Sequence, residues 1–350
     1  MNKMKIINSN GFAEISNFVF SEIVSTKKFN SFDNSEDCIV LQKIKNSEVD
    51  SVWYINPKID IKENDLVFCH TEVVEIFFDF VANIKNLKNI KLITHQSDRA
   101  IDKSLWKLKP NCISEWYSTN INYKNSDLFS VPIGIGNDYI QNYKNEKALL
   151  SKHIEGYVNK VSKAYMNFRI NTNTVERLRA LFDLKDKNWI VLENNVQSLE
   201  DYLDTINKFQ FTICPWGNGL DTHRMWESLY LNSIPVTRFH TAYDQFRSLP
   251  IIFVNKWSDL NLEYLVKESK NLNYKNLNIL DLNYWEKKIK KSNIESKEVF
   301  HKKLSELEID NLKIRYHETM SKNKKKKNIV SKLVKYHPLK IKHYMLSKNS

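Results

Sequence analysis

The sequence predicts an α/β protein built of two halves that face each other across a cleft. Three observations lead there. Short runs rich in Ile, Val and Phe recur at 51–55, 65–69, 90–94 and 128–132, and a second series follows at 164–168, 189–192, 209–214, 233–236 and 251–254. The gaps carry apolar residues at helical spacing, as at 175–182 and 199–206. A polar stretch without strand pattern, 141–147, divides the two series. A chain of 350 residues is long for one domain and ample for two. The predicted divisions are 1–145, 146–300, and a C-terminal helix with a basic tail over 301–350.

In the first half each run reads as a strand buried on both faces, and therefore parallel to its neighbours. The run 65–69 leads into His70-Thr71-Glu72, and the run 90–94 into His95-Gln96-Ser97-Asp98-Arg99. Loops at the carboxyl ends of parallel strands line the clefts of such sheets. His70, His95 and Asp98 are therefore expected at the cleft, with Trp116, Asn120 and 131–135 beside them. Plainer roles stay open: Asp98 as cap of the next helix, the histidines as hydrogen-bonding loop residues. In the second half, Arg169 follows the run 164–168 and either reaches the cleft or stays at the surface.

The segment 211–236 reads strand, loop, helix, strand. Glycine is scarce, six in all, and Gly217 and Gly219 both fall in this loop. They let it turn tightly and bring backbone N–H groups close to a ligand. Asp221 or Thr222 can cap the helix that follows, and a helix N-terminus favours phosphate. Arg224 and Glu227 are three apart and share one helix face, while Met225, Trp226 and Leu229 point elsewhere and can pack on the sheet. A guanidinium suits a pyrophosphate and a carboxylate suits paired ribose hydroxyls. The plain alternative is a surface salt bridge between Arg224 and Glu227.

The pattern Pro215-x-Gly217-x-x-x-Asp221-Thr222-His223-Arg224-x-x-Glu227, followed by Ser233-Ile234-Pro235-Val236, closely resembles the donor-binding half of the exostosin-like glycosyltransferases. The likeness continues through an apolar strand to Trp257-x-Asp259-Leu260 and covers about fifty residues. Asn232-Ser233 stands where the family has a small residue and Cys. The resemblance implies a GT-B fold, two Rossmann-like domains facing across a cleft, with an acceptor side in 1–145 and a nucleotide-sugar side in 146–300. It further implies a UDP-linked donor and inversion at the anomeric carbon, in the building of a surface glycan. The donor-binding set is then Gly217, Asn218, Gly219, Asp221, Thr222, His223, Arg224 and Glu227, with Arg169 across the cleft. Inverting transfer needs one general base, and the candidates are Asp98, then His95 and His70.

Other readings are narrowed by what the sequence lacks. No Asp-x-Asp stands at a strand end, so no metal or other cofactor is expected, and no phosphate-loop lysine or zinc spacing is present. The four cysteines are irregularly spaced, which fits buried thiols in a reducing cytoplasm. The first eight residues lack the apolar core of a signal peptide. Of the net charge of +12, ten charges come from lysines in 322–350, where there is no acid, leaving a nearly neutral body. A nucleic-acid-binding domain would carry its charge throughout, so no nucleic-acid partner is expected. The tail instead suits an anionic membrane surface, where a lipid-linked glycan acceptor would be met, or is simply a solvated terminus. The rival readings are a GDP-fucose-using enzyme of the same fold and a non-catalytic glycan- or nucleic-acid-binding protein.

Overall fold

The computed structural model describes residues 4–33, 35–137, 139–140, 159–193, 198–275, 277–290, 298–318 and 321. The basic tail and the polar stretch 141–147, with the predicted division at 145/146, lie outside them. Two sheets organise the chain. The first has seven strands among β1 (Phe18–Ser25), β2 (Ile39–Lys45), β3 (Asp50–Ile55), β4 (Lys58–Lys62), β5 (Leu66–His70), β6 (Ile90–His95), β7 (Ile113–Ser118) and β8 (Leu128–Ser130), in the order β2-β3-β1-β5-β6-β7-β8. The stretch β1-β5-β6-β7-β8 is parallel.

The run 51–55 departs from the parallel arrangement expected of it: as β3 it pairs antiparallel with both β1 and β2. β1 itself breaks the apolar pattern because it buries Ser21 and Glu22. Both are satisfied inside the fold. Ser21 Oγ donates to the Tyr54 carbonyl at 2.8 Å and accepts from Trp53 Nε1 at 3.0 Å, and Glu22 accepts from Asn10 Nδ2 at 2.6 Å. Polar groups paired in this way can sit in a core strand.

The second sheet is wholly parallel. Its strands are β9 (Val161–Met166), β10 (Ile190–Leu192), β11 (Phe209–Ile213), β12 (Ile234–Arg238) and β13 (Ile252–Val254), in the order β10-β9-β11-β12-β13. Three helices connect its strands. α1 (Thr174–Leu184) follows β9, α2 (Leu199–Lys208) follows β10, and α3 (His223–Tyr230) follows β11. As the spacing predicts, Met225, Trp226 and Leu229 of α3 are buried.

The ends of the chain cross between the sheets. Ile7 N–H donates to the Tyr230 hydroxyl at 3.0 Å, and that hydroxyl donates to the Leu280 carbonyl at 2.7 Å. Gly134 has φ +68°, and a side chain there would put its Cβ 2.1 Å from the Ile7 carbonyl oxygen, so only glycine fits. Helix α4 (Leu282–Lys290) lays Trp285 against Phe12 and Phe246, joining residues from both ends of the sequence in one apolar core. A last strand, β14 (Val299–Lys303), pairs antiparallel with β4, so the predicted division at 300/301 falls within it. Among the described residues no helix is long and apolar enough to cross a membrane.

Candidate active site

The second sheet changes winding direction between β9 and β11. The chain leaves β9 towards β10 on one side, and leaves β11 towards β12 on the other. The two departing segments part at their carboxyl ends and leave a crevice, the usual ligand position in open parallel sheets. A cavity of about 400 Å³ lies there, within the size range of small-molecule sites. The second half supplies most of its wall: Thr172 and Arg177 after β9, Tyr202 from α2, and 217–219 with Asp221, Thr222, His223, Arg224 and Glu227 after β11. The first half supplies Asp98 and Ile133.

The glycine loop is held from both sides. Asn173 Nδ2 donates to the Gly217 carbonyl at 2.9 Å, and Arg177 Nε donates to the Trp216 carbonyl at 3.0 Å. Trp216 is itself fixed by its Nε1 donating to the Arg238 carbonyl at 3.1 Å. From the first half, Asn120 accepts from Asp221 N–H through Oδ1 at 2.9 Å and donates to the Ser97 carbonyl through Nδ2 at 3.1 Å. A Cβ on Gly219 would stand 2.8 Å from that same Oδ1, so the close approach of Asn120 requires a glycine there.

Asp221 does not stand at the cap position of the helix, which Thr222 takes. Its buried carboxylate accepts from Ile133 N–H at 2.8 Å, from Thr222 N–H at 2.9 Å and from Trp226 Nε1. It therefore fastens the loop to the first half. Burial pushes its pKa up to about 7, against the pull of these donors. His223 does similar work: Nδ1 lies 2.8 Å from the Gly134 carbonyl, which can only accept, so the ring nitrogen donates. Thr222, at the N-cap of α3, makes no side-chain capping bond, so the first turn of the helix has no side-chain cap.

Two guanidiniums reach this end of the sheet. Arg224 has its Nε buried without a hydrogen-bond partner, and its guanidinium lies 5.9 Å from the centre of the Tyr202 ring. Arg177 is 6% exposed, and burial, then the neighbouring Arg224 charge, pull its pKa down to about 10. Neither is ion-paired with a carboxylate among the described residues. Glu227 is buried and accepts from the Tyr202 hydroxyl at 3.0 Å. Two guanidiniums, one buried and one half-buried, with helix-terminal amides and one carboxylate, together suit a diphosphate joined to a hydroxyl-bearing ring.

The structure therefore brings Gly217, Asn218, Gly219, Asp221, Thr222, His223, Arg224, Glu227 and Asp98 together at one cavity. It does not bring Arg169 there. That side chain is exposed, and its carbonyl accepts from Arg177 Nη1 at 2.7 Å. Arg177, eight residues on, lines the wall in its place. Nor does the structure bring His70 and His95 to the cavity wall. His95 accepts from Gln96 N–H at 2.8 Å through Nδ1 and turns Nε2 to the Pro132 carbonyl at 3.1 Å, so both nitrogens are engaged. His70 accepts from Glu72 N–H at 3.2 Å and lies against Trp53 with ring centres 4.1 Å apart. Burial lowers their pKa values to about 4 for His95 and about 3 for His70. Asp98 is exposed at the cavity, and the helix cap at 103–106 is Asp102 instead, accepting from Leu105 N–H at 2.9 Å.

Comparison with known proteins bears on the half that carries this wall. The family model of the RXYLT1 C-terminal domain matches residues 137–304. No curated protein matches the chain. Among solved structures, the α,α-trehalose 6-phosphate synthase of Burkholderia multivorans is similar at 14% identity, over 66% of this chain and 72% of that one, with a TM-score of 0.37. The match over 137–304, which spans the second sheet and most of the cavity wall, marks the chain as a glycosyltransferase.

Proposed function

We propose that this chain moves a sugar from a nucleotide-sugar donor, UDP-linked, to a glycan acceptor of the cell surface, with inversion and without a metal. The supporting observation is the cavity at the winding reversal of the second sheet, where Arg177, Arg224 and Glu227 meet the glycine loop and Asp98 faces them from the first half. In this reading the chain is a GT-B enzyme: the first half presents the acceptor, and the second holds the donor. The diphosphate lies at the α3 N-terminus against Arg224 and Arg177, and Glu227 takes the ribose hydroxyls. The acceptor hydroxyl oxygen attacks the anomeric carbon from the face opposite the diphosphate. Its C–O bond forms as the bond to the diphosphate oxygen breaks. Asp98 takes the hydroxyl proton, and the nucleoside diphosphate leaves with the electron pair, its charge met by the two arginines. Outside the described residues, the lysines of 322–350 are proposed to hold the enzyme near an anionic membrane surface.

The test is a thermal-shift panel of UDP-, GDP- and CMP-linked sugars on the wild type and Arg224→Ala. A ligand at a hundred times its dissociation constant stabilises by about 2.7 kcal/mol. Stabilisation by UDP-sugars, lost in Arg224→Ala, is expected. Stabilisation by GDP-fucose alone supports the fucosyltransferase-like reading, and no response to any nucleotide removes the donor site.

A further inference from the structure

We propose that Tyr202 positions the donor-binding residues of α3: its hydroxyl orients the Glu227 carboxylate, and its side chain lies beside the Arg224 guanidinium. This rests on the donor-site reading above. Arg224 and Glu227 are three apart on α3, a spacing at which opposite charges ordinarily meet. Here no ion pair joins them among the described residues. Tyr202 arrives from a different element, α2, and approaches both. Its hydroxyl donates to Glu227 Oε2 at 3.0 Å, and the Arg224 guanidinium lies 5.9 Å from its ring centre. The ring itself is seated against Tyr165, with centres 6.3 Å apart.

The physical consequence is pre-organisation. An Arg224–Glu227 pair would cancel both charges, and a ligand would have to break it before binding. Here the cation keeps its buried Nε unpaired, and the Tyr202 hydroxyl, a neutral donor, directs the Glu227 carboxylate. Burial raises the phenol's pKa well above its usual value, so the hydroxyl remains a donor across the working pH range. The two charges then read different parts of one ligand: Arg224 the diphosphate, Glu227 the nucleoside.

Binding of UDP, uridine and pyrophosphate, measured by calorimetry on the folded chain, tests this. Tyr202→Phe keeps the ring and deletes the donor. It is expected to weaken UDP about tenfold, or about 1.4 kcal/mol, and to leave pyrophosphate within twofold of wild type. Tyr202→Ala deletes the ring as well and is expected to weaken pyrophosphate too. On a Glu227→Gln background, Tyr202→Phe should cost less than twofold for UDP, because the orienting role has lost its object. Wild-type UDP affinity in Tyr202→Phe overturns the inference. So does an equal loss of UDP and pyrophosphate in that variant, which would mark general damage to the pocket. A wild type that binds none of the three probes removes the donor-site reading instead, and the inference with it.

Discussion

Gly219→Ala should loosen the seam between the two halves, and the size of the effect follows from the contacts of Asn120. The new Cβ would lie 2.8 Å from Asn120 Oδ1, 2.9 Å from Nδ2 and 3.1 Å from Cγ, the first two nearer than such atoms can stand. Asn120 sits at φ +56° at the end of β7, so its backbone has little room to give, and the amide must rotate away. Two hydrogen bonds then go, from Asp221 N–H and to the Ser97 carbonyl. At 0.5–1.5 kcal/mol each, the loss is roughly 1–3 kcal/mol. Denaturant titration of the wild type, Gly219→Ala, Asn120→Gly and the double variant measures it. Glycine tolerates the positive φ at 120, so Asn120→Gly removes the clash together with the bonds. The double variant should therefore be no less stable than Asn120→Gly alone. Gly219→Ala with wild-type stability, or strictly additive losses, would refute the reasoning.

Three more outcomes follow from the site. Asp98→Asn should lower turnover by on the order of 10²–10⁴-fold while UDP affinity stays near wild type; near-normal turnover in that variant would show that Asp98 is not the base. The buried rings of His70 and His95, with pKa values lowered from 6.5 to about 3 and about 4, contribute stability that is present above pH 6.5 and lost as pH falls towards those values. At pH 5 that is roughly 2 kcal/mol per ring, to be read from denaturation at pH 7.5, 6 and 5; a His95→Asn variant with an unchanged acid slope would contradict it. Transfer should continue in EDTA, because arginines and helix-terminal amides meet the diphosphate charge; activity lost in EDTA and restored by manganese would count against this.

How far the sequence announced all this differs from residue to residue. The strand-loop-helix around Gly217 and Glu227 was legible because its signals are local: scarce glycines, a helix start, two charges at helical spacing. Asp98 was legible because a strand end places it. Arg177 was not. In Val175-Glu176-Arg177-Leu178-Arg179 the charges read as a solvated helix face, yet packing buries Glu176 and Arg177 and exposes Val175 and Arg179. Glu176 is held by Arg238 at 2.6 Å and by Trp257 Nε1 at 3.0 Å, partners sixty and eighty residues away that no local pattern connects. The histidines failed for the converse reason. A strand end was visible, but not that Gln96 and Pro132 would consume the nitrogens of His95. Asp221, which looked like a cap, takes its role from Ile133, eighty-eight residues distant.

The crossing of the chain's ends sets a timetable for synthesis. Strand β4 is made early, but its partner β14 ends at Lys303. The Tyr230 hydroxyl that receives Ile7 must likewise wait for Leu280, and Phe12 waits for Trp285. On a ribosome adding residues at about 5–20 per second, the N-terminal half would spend many seconds with β4 unpaired and the Phe12 ring uncovered. Completion is a late, long-range event, and chain breaks or stalls before residue 303 would leave β4 without its full partner strand. A fragment cut to 137–304 would keep most of the cavity wall but lack Asp98, Ile133 and the Ile7, Phe12 and Asn120 contacts that brace it, so expression of the whole chain is the practical unit for any assay of this protein.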